Sequence, residues 1–161
     1  MKLIVTRSNL KEALSAIERA SGENINLPIL KNFLLKVVDN KIKISATNLE
    51  IAVNSFIGGK IIEEGESTAP ISILSNIINN LQSERLNLEV KGNSLSIKTD
   101  NYQASIQCLP TKEFPLIPKI KNQENFIEIK AGVIKEAISQ VIIATQISDL
   151  RPELSSVLFS F

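Results

Sequence analysis

The sequence contains no histidine and no tryptophan, only one cysteine (Cys108), and just 4% aromatic residues. Without histidine there is no imidazole to act as a general base or a metal ligand, which removes His-activated nucleophiles and the commonest zinc sites. A lone cysteine cannot close an internal disulfide, and its use here fits a reducing, cytosolic setting. Long apolar runs are also missing. The first six residues hold an apolar run of three, too short for a signal peptide. No stretch approaches the ~20 apolar residues of a membrane span. Charge of one sign is absent as well: 18 Lys and Arg stand against 17 Asp and Glu, a net +1. That balance argues against a tight, strongly basic nucleic-acid grip. It still allows a weak and diffuse electrostatic partner, because distribution matters more than the sum.

What the chain does have is length and repetition. Its 161 residues suffice for one ordinary domain and part of another. A chain of this size buries roughly 70% of its unfolded surface, so no disulfide or metal staple is required. Ile occurs 25 times and Asn 15 times, a compositional bias that leaves single Ile or Asn choices without functional weight.

Setting each residue against the one 124 positions later gives an ungapped self-match. Leu3, Val5, Leu10, Ala13, Leu14, Ile17 and Ala20 fall on Ile127, Ile129, Ile134, Ala137, Ile138, Val141 and Ala144. Further on, "LPILKNFLLKV" from Leu27 falls on "RPELSSVLFSF" from Arg151. A third copy lies between them: "LKVVDNKIKISATNLEIAV" from Leu35 matches "LEVKGNSLSIKTDNYQASI" from Leu88, an offset of 53. Each copy opens with a short strand such as Lys2 to Thr6. A helix follows, with Leu10, Ala13, Leu14 and Ile17 on one face. In the second copy Pro70 is expected at the first helical position.

Alternating strands come next. Leu35 and Val37, then Ile42, Ile44 and Ala46, then Leu49, Ile51 and Val53 each alternate with polar neighbours. Turns are expected at Asp39-Asn40 and Thr47-Asn48, and again at Gly92-Asn93 and Asp100-Asn101. The unit is β-α-β-β-β and the class is α+β. Two units fill residues 1–57 and 61–109. The Pro-rich, charged stretch that follows reads as a linker, giving a first domain over 1–121. Residues 122–161 carry the opening β-α-β of a third unit, so the chain is expected to stop inside a second domain.

Chemical candidates are few. Cys108 ends the strand Tyr102-Ala104-Ile106-Cys108, and with no histidine to activate it it reads as a core residue. Glu63, Glu64 and Glu66 around Gly65 could bind Mg²⁺ or do acid-base work, but they read as a solvated turn between units. "IGGK" from Ile57 lacks the spacing of a phosphate cradle. The outer helix faces are nearly neutral. Lys11 and Arg19 are offset by Glu12 and Glu18, Lys135 by Glu136, and the middle helix has no charge. Such faces are either plain solvated surface or a loose contact for a polyanion, the weak and sequence-blind kind that sliding along DNA requires.

The motifs "LPIL" (Leu27 to Leu30), "ATNLEIAV" (Ala46 to Val53), "CLPTKEFPLIP" (Cys108 to Pro118) and "SDLRPELSSVLF" (Ser148 to Phe159), in that order, closely resemble the bacterial sliding clamp, the beta subunit of DNA polymerase III. The resemblance runs the whole length of the chain. It implies a clamp fold of repeated β-α-β-β-β units, with two helices on one face of a curved antiparallel sheet. It also implies a non-catalytic processivity factor that encircles duplex DNA as a head-to-tail dimeric ring, without cofactor, metal or membrane contact, in the cytoplasm. Implied DNA-facing positions are Lys11, Arg19, Asn24, Ser72, Lys135, Ser148 and Arg151. Clamps commonly carry basic residues where this chain has Asn24 and Ser72. Ring closure with a second copy would use Ile73, Ile77, Asn101, Gln103, Ala104 and Ile106. A groove for peptides of the polymerase and clamp loader would include Arg151, Pro152 and Leu154. The competing reading is a small α+β enzyme or ligand-binding domain whose repeat is only a folding device. A pocket of convergent polar side chains would favour that reading.

Overall fold

The computed structural model describes residues 1–22, 26–118, 126–146 and 150–160. The chain forms two compact units, Met1–Pro118 and Lys119–Phe161. The domain boundary expected after residue 121 lies outside the described residues.

The first compact unit runs β1 (Lys2–Thr6), α1 (Arg7–Glu18), β2 (Asn32–Val38), β3 (Lys41–Thr47), β4 (Ala52–Ile57), β5 (Gly59–Glu63), β6 (Glu66–Pro70), α2 (Ile71–Asn80), β7 (Arg85–Lys91), β8 (Ser94–Lys98) and β9 (Gln103–Gln107). Turn chemistry places several of these elements. Asp39 and Asn40 both take positive φ (50° and 56°), the backbone of a tight hairpin turn, between β2 and β3. Gly92, with φ 55°, does the same work between β7 and β8. Thr6 caps α1, accepting the Asn9 N–H on its hydroxyl at 3.3 Å.

Two local expectations are corrected. Pro70 is the cap residue ahead of α2, not its first helical residue. The third strand starts at Ala52, and Leu49 and Ile51 are exposed. The cause is Asn48, whose side-chain oxygen accepts the N–H groups of Glu50 (3.0 Å) and Ile51 (2.9 Å). Those donors are thereby withheld from a strand ladder.

The strands form two antiparallel sheets, ordered β5-β1-β7-β8-β9 and β4-β3-β2-β6. One continuous sheet was expected. Instead, the first strand of each repeat crosses to the other repeat's sheet. β1 lies against β7, with Leu3 opposite Leu88 and Val5 opposite Leu86. β6 lies against β2, with Ser67 opposite Leu35 and Ala69 opposite Phe33. The extra strand β5 pairs with the other side of β1.

One apolar core serves both sheets and both helices. α1 buries Leu10, Ala13, Leu14 and Ile17, and α2 buries Ile71, Leu74 and Ile78. The two helices lie side by side, as expected. Between β6 and the segment after β9, the Thr68 hydroxyl donates to the Leu109 carbonyl at 2.7 Å and accepts the Leu109 N–H at 3.1 Å. This bond is fully buried on the Thr68 side.

In the second compact unit, α3 (Ala131–Val141) is followed by 3-10 turns Ile142–Ala144 and Pro152–Ser155. The second turn repeats that at Pro28–Lys31. The residues before them, Arg151 (φ −136°, ψ 78°) and Leu27 (φ −130°, ψ 75°), share one backbone conformation. The strands expected at 126–130 and 156–160 are not formed among the described residues of this unit. A strand needs a hydrogen-bonded neighbour, and these segments have no strand beside them here. Accordingly, α3 buries none of its residues.

Candidate nucleic-acid and sheet-edge surfaces

α1 and α2 together present a shallow groove of about 130 Å³, lined by Lys11, Ser15, Glu18, Ser72, Ser75, Asn76 and Asn79 beside the apolar Leu14 and Ile78. Lys11 and Ser72, chosen from separate helices, thus share one surface. Arg19 closes the C-terminus of α1 with helical backbone, where a cation complements the helix dipole. α2 adds only hydroxyls and amides, since it has no charged residue. Neutral donors of this kind bind phosphate oxygens one at a time and carry no sequence information. The groove is smaller than the ~300–1,000 Å³ of small-molecule sites, so it is a surface groove and not itself a small-molecule pocket. Asn24 and Ser148 lie outside the described residues. Lys135 is exposed on α3, and Arg151 is exposed ahead of its 3-10 turn.

β9 is an edge strand of its sheet. The Thr99 N–H bonds the Tyr102 carbonyl and the Cys108 N–H bonds the Asn93 carbonyl, both at 2.8 Å. Antiparallel alternation then directs the backbone of Ala104 and Ile106 toward β8, and that of Gln103, Ser105 and Gln107 outward. Gln103 and Asn101 are exposed and Ala104 is half-buried. Ile106 is different: its side chain is 4% exposed in the core. It is therefore corrected from a contact residue to a packing residue. Tyr102 and Ser105, within the expected edge segment Asn101 to Ile106, are exposed, and Gln107 extends that edge by one residue beyond the expectation. Beside the edge, Ile77, Asn76, Asn80, Leu81 and Tyr102 line a hollow of about 250 Å³. Ile73 is 48% exposed, whereas Ile77 is half-buried against the core.

In the second compact unit, Leu154 lines an open apolar cavity of about 520 Å³ with Ile134, Ile138, Val141, Val157 and Phe159. The loop beneath it is closed by the Gln146 N–H on the Leu154 carbonyl (3.0 Å) and the Ser155 hydroxyl on the Gln146 carbonyl (2.9 Å). Arg151 does not line this cavity.

The remaining chemical candidates are dispersed. Cys108 is buried, its Sγ 3.5 Å from the Ile106 carbonyl oxygen. Glu66 binds Lys36 Nζ and Thr111 Oγ1, each at 2.8 Å, and these hydrogen bonds, Lys36 first, hold its carboxyl below the ordinary range. Glu63 faces the Met1 ammonium at 3.5 Å. Among the described residues no three His, Cys, Asp or Glu side chains converge as a metal site, and no helix is long and apolar enough to cross a membrane.

Comparison with known proteins places these features. Residues 1–118 match the family described as DNA polymerase III beta subunit, N-terminal domain. Among curated proteins, the beta sliding clamp of Proteus mirabilis is 26% identical over 161 residues, covering 99% of this chain and 44% of that protein. That of Vibrio cholerae is 28% identical over 166 residues, with 99% and 44% covered. This chain thus spans under half the length of these relatives. Among solved structures, the beta subunit from Thermotoga maritima superposes with a TM-score of 0.80 at 28% identity, covering 89% of this chain and 39% of that one. The Pseudomonas aeruginosa subunit, at 24% identity, shares the fold with a TM-score of 0.84 over 96% of this chain and 42% of that one. With the family matched over most of its length and the clamp fold present, this chain belongs to the DNA polymerase III beta subunit family.

Proposed function

We propose that this chain provides the first domain of a DNA sliding clamp, residues 1–121, and the opening β-α-β segment of a second, residues 122–161. In this reading the α1/α2 face lies along duplex DNA and the sheets form the outer wall. The ring tethers a replicative polymerase in the cytoplasm. The observation that carries it is the shared surface of Lys11 and Ser72, lined also by hydroxyls and amides and by one carboxylate, Glu18, with Arg19 next along α1. Such a face attracts a polyanion without holding it at one sequence. The β9 edge, with Gln103, Ala104 and Asn101 beside Ile73 and Ile77, closes the ring against another copy by strand addition. Polymerase and clamp-loader peptides dock at the surface that includes Arg151, Pro152 and Leu154.

The test is a titration of isotope-labelled chain with short duplexes of unrelated sequence at low salt. Backbone resonances of Lys11, Arg19, Ser72 and Asn76 should shift together, alike for every duplex. Shifts confined to other faces, or a preference for one duplex that survives high salt, would overturn the assignment.

A further inference from the structure

We infer that Glu18 limits how firmly the α1/α2 face holds DNA, as a counter-charge to Lys11 built into the same groove; this rests on the DNA reading of that face. Lys11 and Glu18 stand seven positions apart on α1, about two helical turns, and both line the groove with Ser72 and Asn76. Both are exposed. α2 has no charged residue, so the charge lining the groove reduces to one cation and one anion on a single helix.

Stability does not account for this carboxylate. Glu18 is the last residue of α1, where unpaired carbonyls carry partial negative charge and an anion is disfavoured. Arg19 at the cap answers that dipole, and Glu18 opposes it. The positions three and four before Glu18 hold Ser15 and Leu14, so no ion pair along the helix relieves it. Among the described residues the ion pairs are Met1–Glu63, Arg7–Glu84, Lys36–Glu66 and Lys91–Glu89, and Glu18 enters none of them. The helix end is closed without its side chain: the Ser21 hydroxyl donates to the Glu18 carbonyl at 2.7 Å. A residue that works against its own helix and has no ion-pair partner is the kind of local mismatch that function retains.

Toward a polyanion the same residue has a definite effect. Two turns of helix span about 10 Å, which matches the ~10 Å Debye length at 0.1 M salt. A duplex whose phosphate meets Lys11 therefore brings further phosphates within reach of the Glu18 carboxylate. Attraction at one end of the groove is offset by repulsion at the other, and the grip does not grow along α1. Contacts kept that weak exchange readily and stay blind to sequence.

The experiment titrates the 161-residue chain with short duplexes of unrelated sequence. Glu18→Gln removes the charge and keeps the shape, whereas Glu18→Asp keeps the charge. At about 0.01 M salt, where screening extends to ~30 Å, Glu18→Gln should bind every duplex about two- to five-fold more tightly than the parent, the scale of one like-charge contact in water. Glu18→Asp should bind like the parent, and the gain of Glu18→Gln should shrink at 0.1 M salt. Glu18→Gln should melt no lower than the parent, which separates the effect on DNA from any effect on folding. Unchanged or weaker binding by Glu18→Gln, or an equal gain in Glu18→Asp, overturns the inference. If the groove resonances of the parent respond to DNA while Glu18→Gln changes nothing, the inference alone fails. If they stay silent in parent and variant alike, the DNA reading fails and the inference with it.

Discussion

Glu84 holds the first turn of α1 from the opposite repeat: its Oε1 accepts both the backbone N–H of Ser8, at 3.0 Å, and the Ser8 hydroxyl. Arg7 joins them, its Nε 3.4 Å from Oε2, and the Arg7 N–H bonds the Glu84 carbonyl at 2.7 Å. A carboxylate at a helix N-terminus satisfies donors that the helix leaves open. The Ser8 hydroxyl and N–H, in that order, hold the Glu84 carboxyl below its ordinary value of 4.5. A folded-state pKa below the unfolded one adds stability that is complete above the unfolded value and is lost as pH falls through the folded value. Glu84→Gln should therefore lower Tm near pH 7, and the gap to the parent should narrow as pH falls below 4.5 and through the lowered folded-state value. Thermal melts across that range test this, and a gap that widens in acid would contradict it.

Leu14 and Ile138 occupy the same repeat position in opposite environments. Leu14 is 2% exposed, whereas α3 buries none of its residues. Leu14→Ala should cost ~2–5 kcal/mol. Ile138→Ala should change the unfolding of the first compact unit by less than about 0.5 kcal/mol. Denaturant titrations of both variants make the comparison, and equal losses would mean that the first core is misassigned.

Thr68→Val keeps the shape and removes one hydroxyl that serves both backbone groups of Leu109 and lies 3.4 Å from Asn32 Nδ2. Leaving those groups unsatisfied should cost about 1–3 kcal/mol. A neutral result in equilibrium unfolding would show that water replaces the hydroxyl.

Each phosphate contact contributes about 0.9 to the slope of log affinity against log salt. Replacing Lys11 and Arg19 together by Ala should flatten that slope by roughly 2 for binding to duplex DNA. An unchanged slope would remove both residues from the contact.

The helices and hairpins were legible because their signals are local. A 3.6-residue apolar spacing marked α1, and Asp39-Asn40 and Gly92-Asn93 marked turns. Asn48 was legible as a turn residue, but its reach to Ile51 delays β4, and a two-residue alternation rule cannot see a side chain competing for backbone donors. β5 went unread because Gly59 to Glu63 matches nothing in the other copies; it is defined only by its partner β1. The crossing of β1 and β6, and the hold of Glu84 on Ser8, join positions far apart in sequence. Lys11 and Arg19 were legible as the cations of the outer face of α1, Ser72 came from resemblance, and the structure adds that Lys11 and Ser72 share a groove. Ile106 looked like an edge contact because its strand is an edge. Its burial depends on which face of that strand meets the helices.

The crossed first strands also bear on how the chain is made. β1 is made before its neighbours β5 and β7, which follow some 60 and 85 residues later. A nascent chain that has reached Ile57 holds three strands of one sheet and a stray first strand, with α1 lacking its full support. Loop closure of that length slows folding, and the exposed β1 edge is open to other nascent chains in the interval. The β4-β3-β2-β6 sheet has all its strands once the chain reaches Pro70, whereas the β5-β1-β7-β8-β9 sheet is complete only at Gln107, so the two halves of the core are supplied at different points of synthesis.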